Sequence, residues 1–209
     1  MKKLFLASSI NCVAQDIAEK ITNPAELKLA FINTAAEVEQ GDREWLENDR
    51  QGLINAGFNL FDYTLTNKTF EQIAADLSDA DIVHLNGGNT FYLLLQARKS
   101  GFDQWITQAV ASGKIYSGSS AGAIICAPDI EITKLLEAKI YQDQLKNLNG
   151  FNLVDFITLP HWGSDFFKEL YLNQRLKQAY NTEHKIILLN DNQYVQVEGD
   201  KYKIVDVRD

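Results

Sequence analysis

The segment Gly118-Ser119-Ser120-Ala121-Gly122 is a G-x-S-x-G, and its chemistry would be nucleophilic attack by Ser120. Such an elbow sets the serine on a tight strand-to-helix turn with its hydroxyl projecting from the end of a sheet. Small neighbours are needed because the turn is tight, and flanking glycines relieve clashes. The apolar run KIYSG precedes it and the small-residue run AGAII follows. The N–H of Ala121 would then face the oxyanion of a substrate carbonyl under attack. By itself the pattern also describes an ordinary Gly/Ser turn, so the rest of the chain must supply partners.

A serine nucleophile needs a base, and the chain holds 3 histidines. His84 lies inside the apolar run DIVHL and reads as a packed core residue. His184 sits in the polar run NTEHK before a strand, so it belongs to the wrong end of the sheet and should be exposed. His161 follows FITLP at a carboxyl end, held between Pro160 and Trp162, and is the best general base. Its imidazole needs an orienting carboxylate. Asp191, directly after KIILLN, fits, and gives the chain order Ser…His…Asp, whereas the usual α/β-hydrolase order is Ser…Asp…His. Asp129, Glu131, Glu137, Asp143 and Asp155 are the rival carboxylates before His161.

A second oxyanion donor should come from another loop. Asn86-Gly87-Gly88-Asn89-Thr90 follows a strand and opens a helix, and glycine there lets a backbone N–H approach a substrate oxygen. A phosphate-binding turn looks similar. There is no G-x-G-x-x-G, no Walker lysine and no basic residue nearby, which disfavours a nucleotide.

These residues must be held by strands and helices in alternation. Candidate strands are Lys3–Ala7, Leu27–Asn33, Phe58–Phe61, Asp81–Leu85, Lys114–Gly118, Phe156–Leu159 and Lys185–Leu189. Helical spacing runs over Asp42–Ala56, Phe70–Leu77, Thr90–Arg98, Phe102–Ser112 and Asp165–Tyr180. The stretch after Pro128 is less regular. The tail reads as an antiparallel hairpin, Tyr194–Glu198 and Tyr202–Val207, turning at Gly199 and Asp200. Repeated βα units predict an α/β fold of three layers: a mostly parallel sheet with helices on both faces. Ligands in such folds sit at the carboxyl ends of the strands. Gly87-Gly88, Ser119-Ser120, His161 and Asp191 all follow candidate strands.

Length and composition agree with one soluble domain over residues 1–209. Hydrophobic residues make up 45% and charged residues 23%, the balance of an ordinary globular protein. The net charge of −8, with scattered lysines and arginines, speaks against nucleic acid as the partner. No apolar run approaches the ~18–20 residues of a membrane span. The opening MKKLFLASSI has too short an apolar part for a signal peptide and reads as a first strand. Cys12 and Cys126 are too few for a disulfide framework or a cysteine zinc site, so a reducing, cytoplasmic location is expected.

The combination resembles the peptidase E family of serine peptidases, the aspartyl dipeptidase and cyanophycinase-like group. GGNTFYLLLQ, YSGSSAGAIICAP and LPHW carry the resemblance, most specifically from Asn86 to Pro128. It implies a flavodoxin-like fold similar to class I glutamine amidotransferases, which carry cysteine where this chain has Ser120. It implies Ser120 as nucleophile, His161 as base, and Gly88 and Ala121 as oxyanion donors. Some relatives place a Glu in a P-E-G-N-W-like segment after the last core strand, and Asn190-Asp191-Asn192 occupies that place here. An Asp in the loop after the elbow is the other arrangement, but this chain has Leu135 at that spacing, which favours Asp191. Asn89 and Arg175 are the substrate-binding residues expected from the resemblance. Aspartyl dipeptidases use an arginine near the start of the helix after the histidine. The aligned position here is Leu172 or Tyr171, and Arg175 matches a following arginine. Leucine cannot make a bidentate carboxylate contact, so aspartyl specificity does not carry over.

The expected activity is hydrolysis of small peptides through an acyl-enzyme, with no metal or organic cofactor, in a chain whose sequence allows a homodimer. Two rivals remain: an esterase or amidase using the same residues, and a catalytically silent relative that binds a small ligand.

Overall fold

In the computed structural model of the chain, residues 1–134, 139–180 and 182–208 are described. The elements in chain order begin with β1 (Lys3–Ala7), α1 (Ile10–Glu19), β2 (Lys28–Ile32), α2 (Glu44–Asn55), β3 (Asn59–Tyr63) and α3 (Phe70–Asp76). Next come β4 (Ile82–Leu85), α4 (Thr90–Ser100), α5 (Phe102–Ala111), β5 (Ile115–Ser119), α6 (Ala121–Ile124) and α7 (Lys139–Gln142). The chain continues with β6 (Phe156–Leu159), α8 (Lys168–Leu170), a π-helical turn (Tyr171–Arg175), α9 (Leu176–Ala179) and β7 (Lys185–Leu188). The hairpin β8 (Gln193–Glu198) and β9 (Lys201–Asp206) completes it.

A seven-stranded sheet runs in the order β3-β2-β4-β5-β1-β8-β9. The first five strands in that order are mutually parallel, and β8 and β9 are antiparallel. Strands β6 and β7 form a separate parallel pair. Alternation along each strand sends side chains to opposite faces. Leu4, Leu6, Ala30, Ile32, Val83 and Leu85 therefore pack with α3, α4, α5 and α6. Phe5, Ala7, Leu29, Phe31 and Ile82 pack with α1 and the Leu53 face of α2. The result is the three-layer α/β architecture expected from the sequence. Among the described residues no helix is long and apolar enough to cross a membrane.

Two helical readings change. Residues 10–19 are helical, although the sequence reading leaves them unassigned. Ile10, Val13, Ala14, Ile17 and Ala18 are the buried stripe. Its i, i+3, i+4, i+7, i+8 spacing is regular, but two alanines make it a weak apolar signal. The helix read over Asp165–Tyr180 starts at Lys168 and widens into the π turn at Tyr171–Arg175, which buries both Tyr171 and Arg175. Leu135 and Glu137 lie outside the described residues.

Candidate active site

The site forms where the parallel strands end. Ser120 follows β5, and its N–H donates to Ala7 O of neighbouring β1 at 3.1 Å. Its backbone has φ 52° and ψ −111°, a conformation L-residues rarely hold and one that projects the side chain from the turn. The elbow glycines are required by packing. A Cβ on Gly118 would fall 2.3 Å from Gly122 O, and one on Gly122 would fall 2.0 Å from Leu85 O. Cys126, one turn into the following segment, is buried, and burial pushes its thiol up to about 12.

His161 and Asp191 come from the two-stranded sheet. Its pairing continues past β6 and β7: Leu189 N donates to Leu159 O at 3.0 Å, and Trp162 N donates to Leu189 O at 2.9 Å. This register holds the two loops side by side above Ser120. His161 Nε2 lies 3.0 Å from Ser120 Oγ, and His161 Nδ1 lies 2.7 Å from Asp191 Oδ1. Phe167 stacks on the imidazole with centroids 4.6 Å apart and planes 10° apart. The hydrogen bond from His161 holds the Asp191 carboxyl below the usual carboxylate range, against the opposing effect of partial burial.

Ser8, at the end of β1, completes the cluster. Its hydroxyl donates to Asp191 Oδ1 at 2.8 Å and accepts the backbone N–H of His161 at 2.7 Å. His161 itself has φ 65°, so this bond helps to hold a strained backbone. The sequence reading missed Ser8, yet it follows a candidate strand just as Ser120 and Asp191 do. The same rule would have found it.

The turn after β4 lies against Ser120. A Cβ on Gly87 would sit 3.2 Å from Ser120 Cβ. Gly88 has φ 126°, and a Cβ there would fall 2.3 Å from Ala35 O, so only glycine fits. Among the described residues, neither the Gly88 N–H nor the Ala121 N–H donates a hydrogen bond. Asn89 is buried, and its side-chain oxygen caps α4 by accepting Tyr92 N–H at 2.9 Å.

Arg175 is 5% exposed, which excludes the solvated helix charge that its sequence position also allows. Its guanidinium lies over the rings of Tyr171 and Phe167, at 4.8 and 5.8 Å from their centroids. Its Nη1 donates to Pro160 O at 3.4 Å, and the Tyr171 hydroxyl donates to the same carbonyl. Arg175 thus braces the segment before His161 and the ring stacked on it. Beside this loop a cavity of about 310 Å³ opens between Trp162, Asp165, Lys168, Tyr171 and Leu172.

The remaining histidines and carboxylates lie elsewhere. His84 is fully buried between Ser117 and Asn86 and stacked on Phe31, the packed core residue expected. His184 is partly exposed and pairs with Asp129 at 2.8 Å. Glu131 pairs with Lys134 and Asp155 with Lys185. Asp49 on α2, absent from the sequence reading, is 8% exposed, and burial pushes its carboxyl up to about 6. Among the described residues no group of three or more metal-ligating side chains is placed to hold a metal ion.

Comparison with known proteins follows the same lines. The family described as Peptidase family S51 matches residues 4–205. An uncharacterized peptidase of Listeria innocua is 33% identical over 201 residues, covering 93% of this chain and 96% of its own. Peptidase E of Streptomyces coelicolor is 30% identical over 141 residues, 65% of this chain and 56% of that protein. A crystal structure of a candidate peptidase E protein from Listeria monocytogenes superposes with a TM-score of 0.89. It is 30% identical and covers 99% of both chains.

Proposed function

The chain belongs to peptidase family S51, the peptidase E family, and from that premise we propose that it hydrolyses short peptides through an acyl-enzyme on Ser120. The observation that carries this reading is the hydrogen-bonded line Ser120 Oγ, His161 Nε2, His161 Nδ1, Asp191 Oδ1, with spacings of 3.0 and 2.7 Å. His161 Nε2 takes the proton of Ser120 as Oγ bonds to the scissile carbonyl carbon. The carbonyl oxygen, now negative, rests on the N–H groups of Gly88 and Ala121, each such donor stabilising the transition state by about 3 kcal/mol. As the tetrahedral intermediate collapses, His161 returns the proton to the leaving amine and the C–N bond breaks. Water then attacks the ester, with His161 again as base, and releases the acid and free Ser120. Asp191 fixes the imidazole tautomer with the proton on Nδ1 and stabilises the imidazolium. Every step uses the side chains of Ser120, His161 and Asp191, two backbone N–H groups and water.

Aspartyl specificity is no part of this reading. Arg175 is committed to Pro160 O, Tyr171 and Phe167, and Leu172 carries no charge.

The test is intact-mass labelling with a fluorophosphonate on wild type, Ser120→Ala and His161→Ala, followed by turnover of a dipeptide panel beside short acyl esters. One adduct on wild type, absent from both variants, with cleavage of dipeptides, is the expected result. No adduct on wild type overturns the acyl-enzyme; an adduct with turnover of esters alone overturns the peptide substrate.

A further inference from the structure

We infer that Trp45 is a specificity-determining residue: its exposed indole walls the space beside Ser120 and receives a large apolar or aromatic side chain on the residue whose carbonyl is attacked. The inference rests on the acyl-enzyme reading above and deepens it by naming the class of substrate.

The packing of α2 sets where the ring lies. Trp45, Asp49 and Gly52 recur at helical spacing and share one face of the helix. That face turns inward: Asn11 N–H donates to Asp49 Oδ1 at 3.3 Å, and a Cβ on Gly52 would fall 2.9 Å from Asn11 Cα. Trp45 stands one turn nearer the helix start, at the end of the sheet where β2 has just finished. Two bonds anchor this start and the Gly87-Gly88 turn on one segment. Arg43 Nη1 donates to Ala36 O at 3.2 Å, and Asn89 N–H donates to Ala35 O at 2.9 Å.

The ring therefore meets Gly87. The point that a Gly87 Cβ would occupy is 3.6 Å from Trp45 Cζ3, 3.2 Å from Ser120 Cβ and 3.7 Å from Ser120 Oγ. Trp45 and Ser120 thus face each other across a residue with no side chain. Trp45 is nevertheless 36% exposed, whereas Trp105, at 8%, fills the core. An indole left open at this place offers an apolar face to whatever is bonded to Ser120 Oγ.

The directions of the other groups on the attacked carbon decide which part of the substrate meets the ring. The oxygen goes to the N–H groups of Gly88 and Ala121. The amine goes to His161, which must return a proton to it. Ser8, at the end of β1, holds the His161 backbone, whereas Gly87 follows β4, and β1 and β4 flank β5 on opposite sides. The leaving residue therefore lies with His161, and the acyl residue lies with Gly87 and Trp45.

The experiment measures labelling of Ser120 by diphenyl α-aminoalkylphosphonates that carry the side chains of glycine, leucine and phenylalanine, on wild type, Trp45→Ala and Trp45→Phe. Ser120 Oγ bonds to phosphorus as phenol leaves, so the probe's side chain stands where that of the acyl residue would. A fluorophosphonate without such a side chain reports the reactivity of Ser120 itself, and Ser120→Ala is the blank. Wild type should react with the leucine and phenylalanine probes about tenfold faster than with the glycine probe. Trp45→Ala should lose about tenfold on these two, through half-saturation and not through the limiting rate, while the glycine probe and the fluorophosphonate stay within about twofold. Trp45→Phe, which keeps an aromatic face, should retain most of the preference. Absence of the preference in wild type, labelling by the fluorophosphonate alone, or a preference that survives Trp45→Ala overturns the inference. Equal slowing of every probe also overturns it, because Trp45 would then act only as a brace for the Gly87-Gly88 turn. Thermal melting checks each fold, and Trp45→Gln, polar and of intermediate size, carries the test if the Ala variant does not fold. A wild type that the fluorophosphonate fails to label sinks the acyl-enzyme reading itself.

Discussion

Ser8 and Asp191 are joined by a hydrogen bond of 2.8 Å although 183 residues separate them. The bond ties the end of β1, next to the elbow strand, to the loop after β7. The same hydroxyl receives His161 N–H, so one oxygen sets the height of both loops above Ser120. Among the described residues the two-stranded sheet shares no strand pairing with the seven-stranded one, and this contact is part of what registers them at the site.

Ser8→Ala removes a donor to an ionised carboxylate and leaves the His161 N–H without its acceptor. A charge-assisted hydrogen bond contributes about 1.5–3 kcal/mol, so labelling of Ser120 should slow by roughly ten- to a hundredfold. Ser8→Thr, which keeps the hydroxyl, should restore most of the rate. Labelling of the Ala variant within about twofold of wild type would remove Ser8 from the machinery.

Asp191→Asn keeps the shape of the side chain but can no longer hold the Nδ1 proton of His161. The wrong tautomer should cost roughly 10³–10⁴ in labelling rate. Asp129→Asn should leave the rate unchanged, since Asp129 pairs with His184 away from Ser120. Equal effects of the two substitutions would move the third member of the site elsewhere.

Ser120, His161 and Asp191 were legible because each combines a chemical type with a position just after an apolar run, and parallel α/β topology converts that position into proximity. Ser8 obeys the same rule but has no motif around it, and serine after a strand is too common to attract notice. Asp49 was invisible for a different reason. It lies mid-helix among other polar residues of α2, and only the packing of α2 on α1 decides that this carboxylate turns inward. Arg175 illustrates the same limit: the chain position allows a solvated charge, while the π turn rotates it under Phe167. The separation of β6 and β7 into their own sheet was not readable from two short apolar runs, whose pairing is set by distant partners.

Gly88→Ala tests the turn beside Ser120. Its φ of 126° is unfavourable for alanine, and the new methyl would fall 2.3 Å from Ala35 O, which is backbone and cannot swing aside. The turn must move, carrying its N–H away from the oxyanion position. Loss of one such donor costs about 10²–10³ in rate. Labelling should fall by that order while circular dichroism stays native. A variant that labels at the wild-type rate would show that the Gly88 N–H is not a donor in the reaction.

Two buried titrating groups, His84 and Asp49, give opposite pH signatures. His84 is held neutral by burial down to about 4, against an ordinary value of 6.5. Below 6.5 the unfolded chain takes up a proton that the folded one refuses, so stability rises with pH across that window. Asp49 is raised to about 6 from 3.8, so the folded chain keeps a proton that the unfolded one has lost, and stability falls with pH between those values. Each effect amounts to about 1.4 kcal/mol per pH unit and about 3 kcal/mol in all. Between about 4 and about 6 the two slopes oppose and nearly cancel in wild type. Asp49→Asn removes one of them. Urea unfolding of that variant should therefore reveal stability climbing by about 1.4 kcal/mol per pH unit more steeply than in wild type over this interval. Parallel pH profiles for the two proteins would mean that Asp49 is ionised in the folded state throughout.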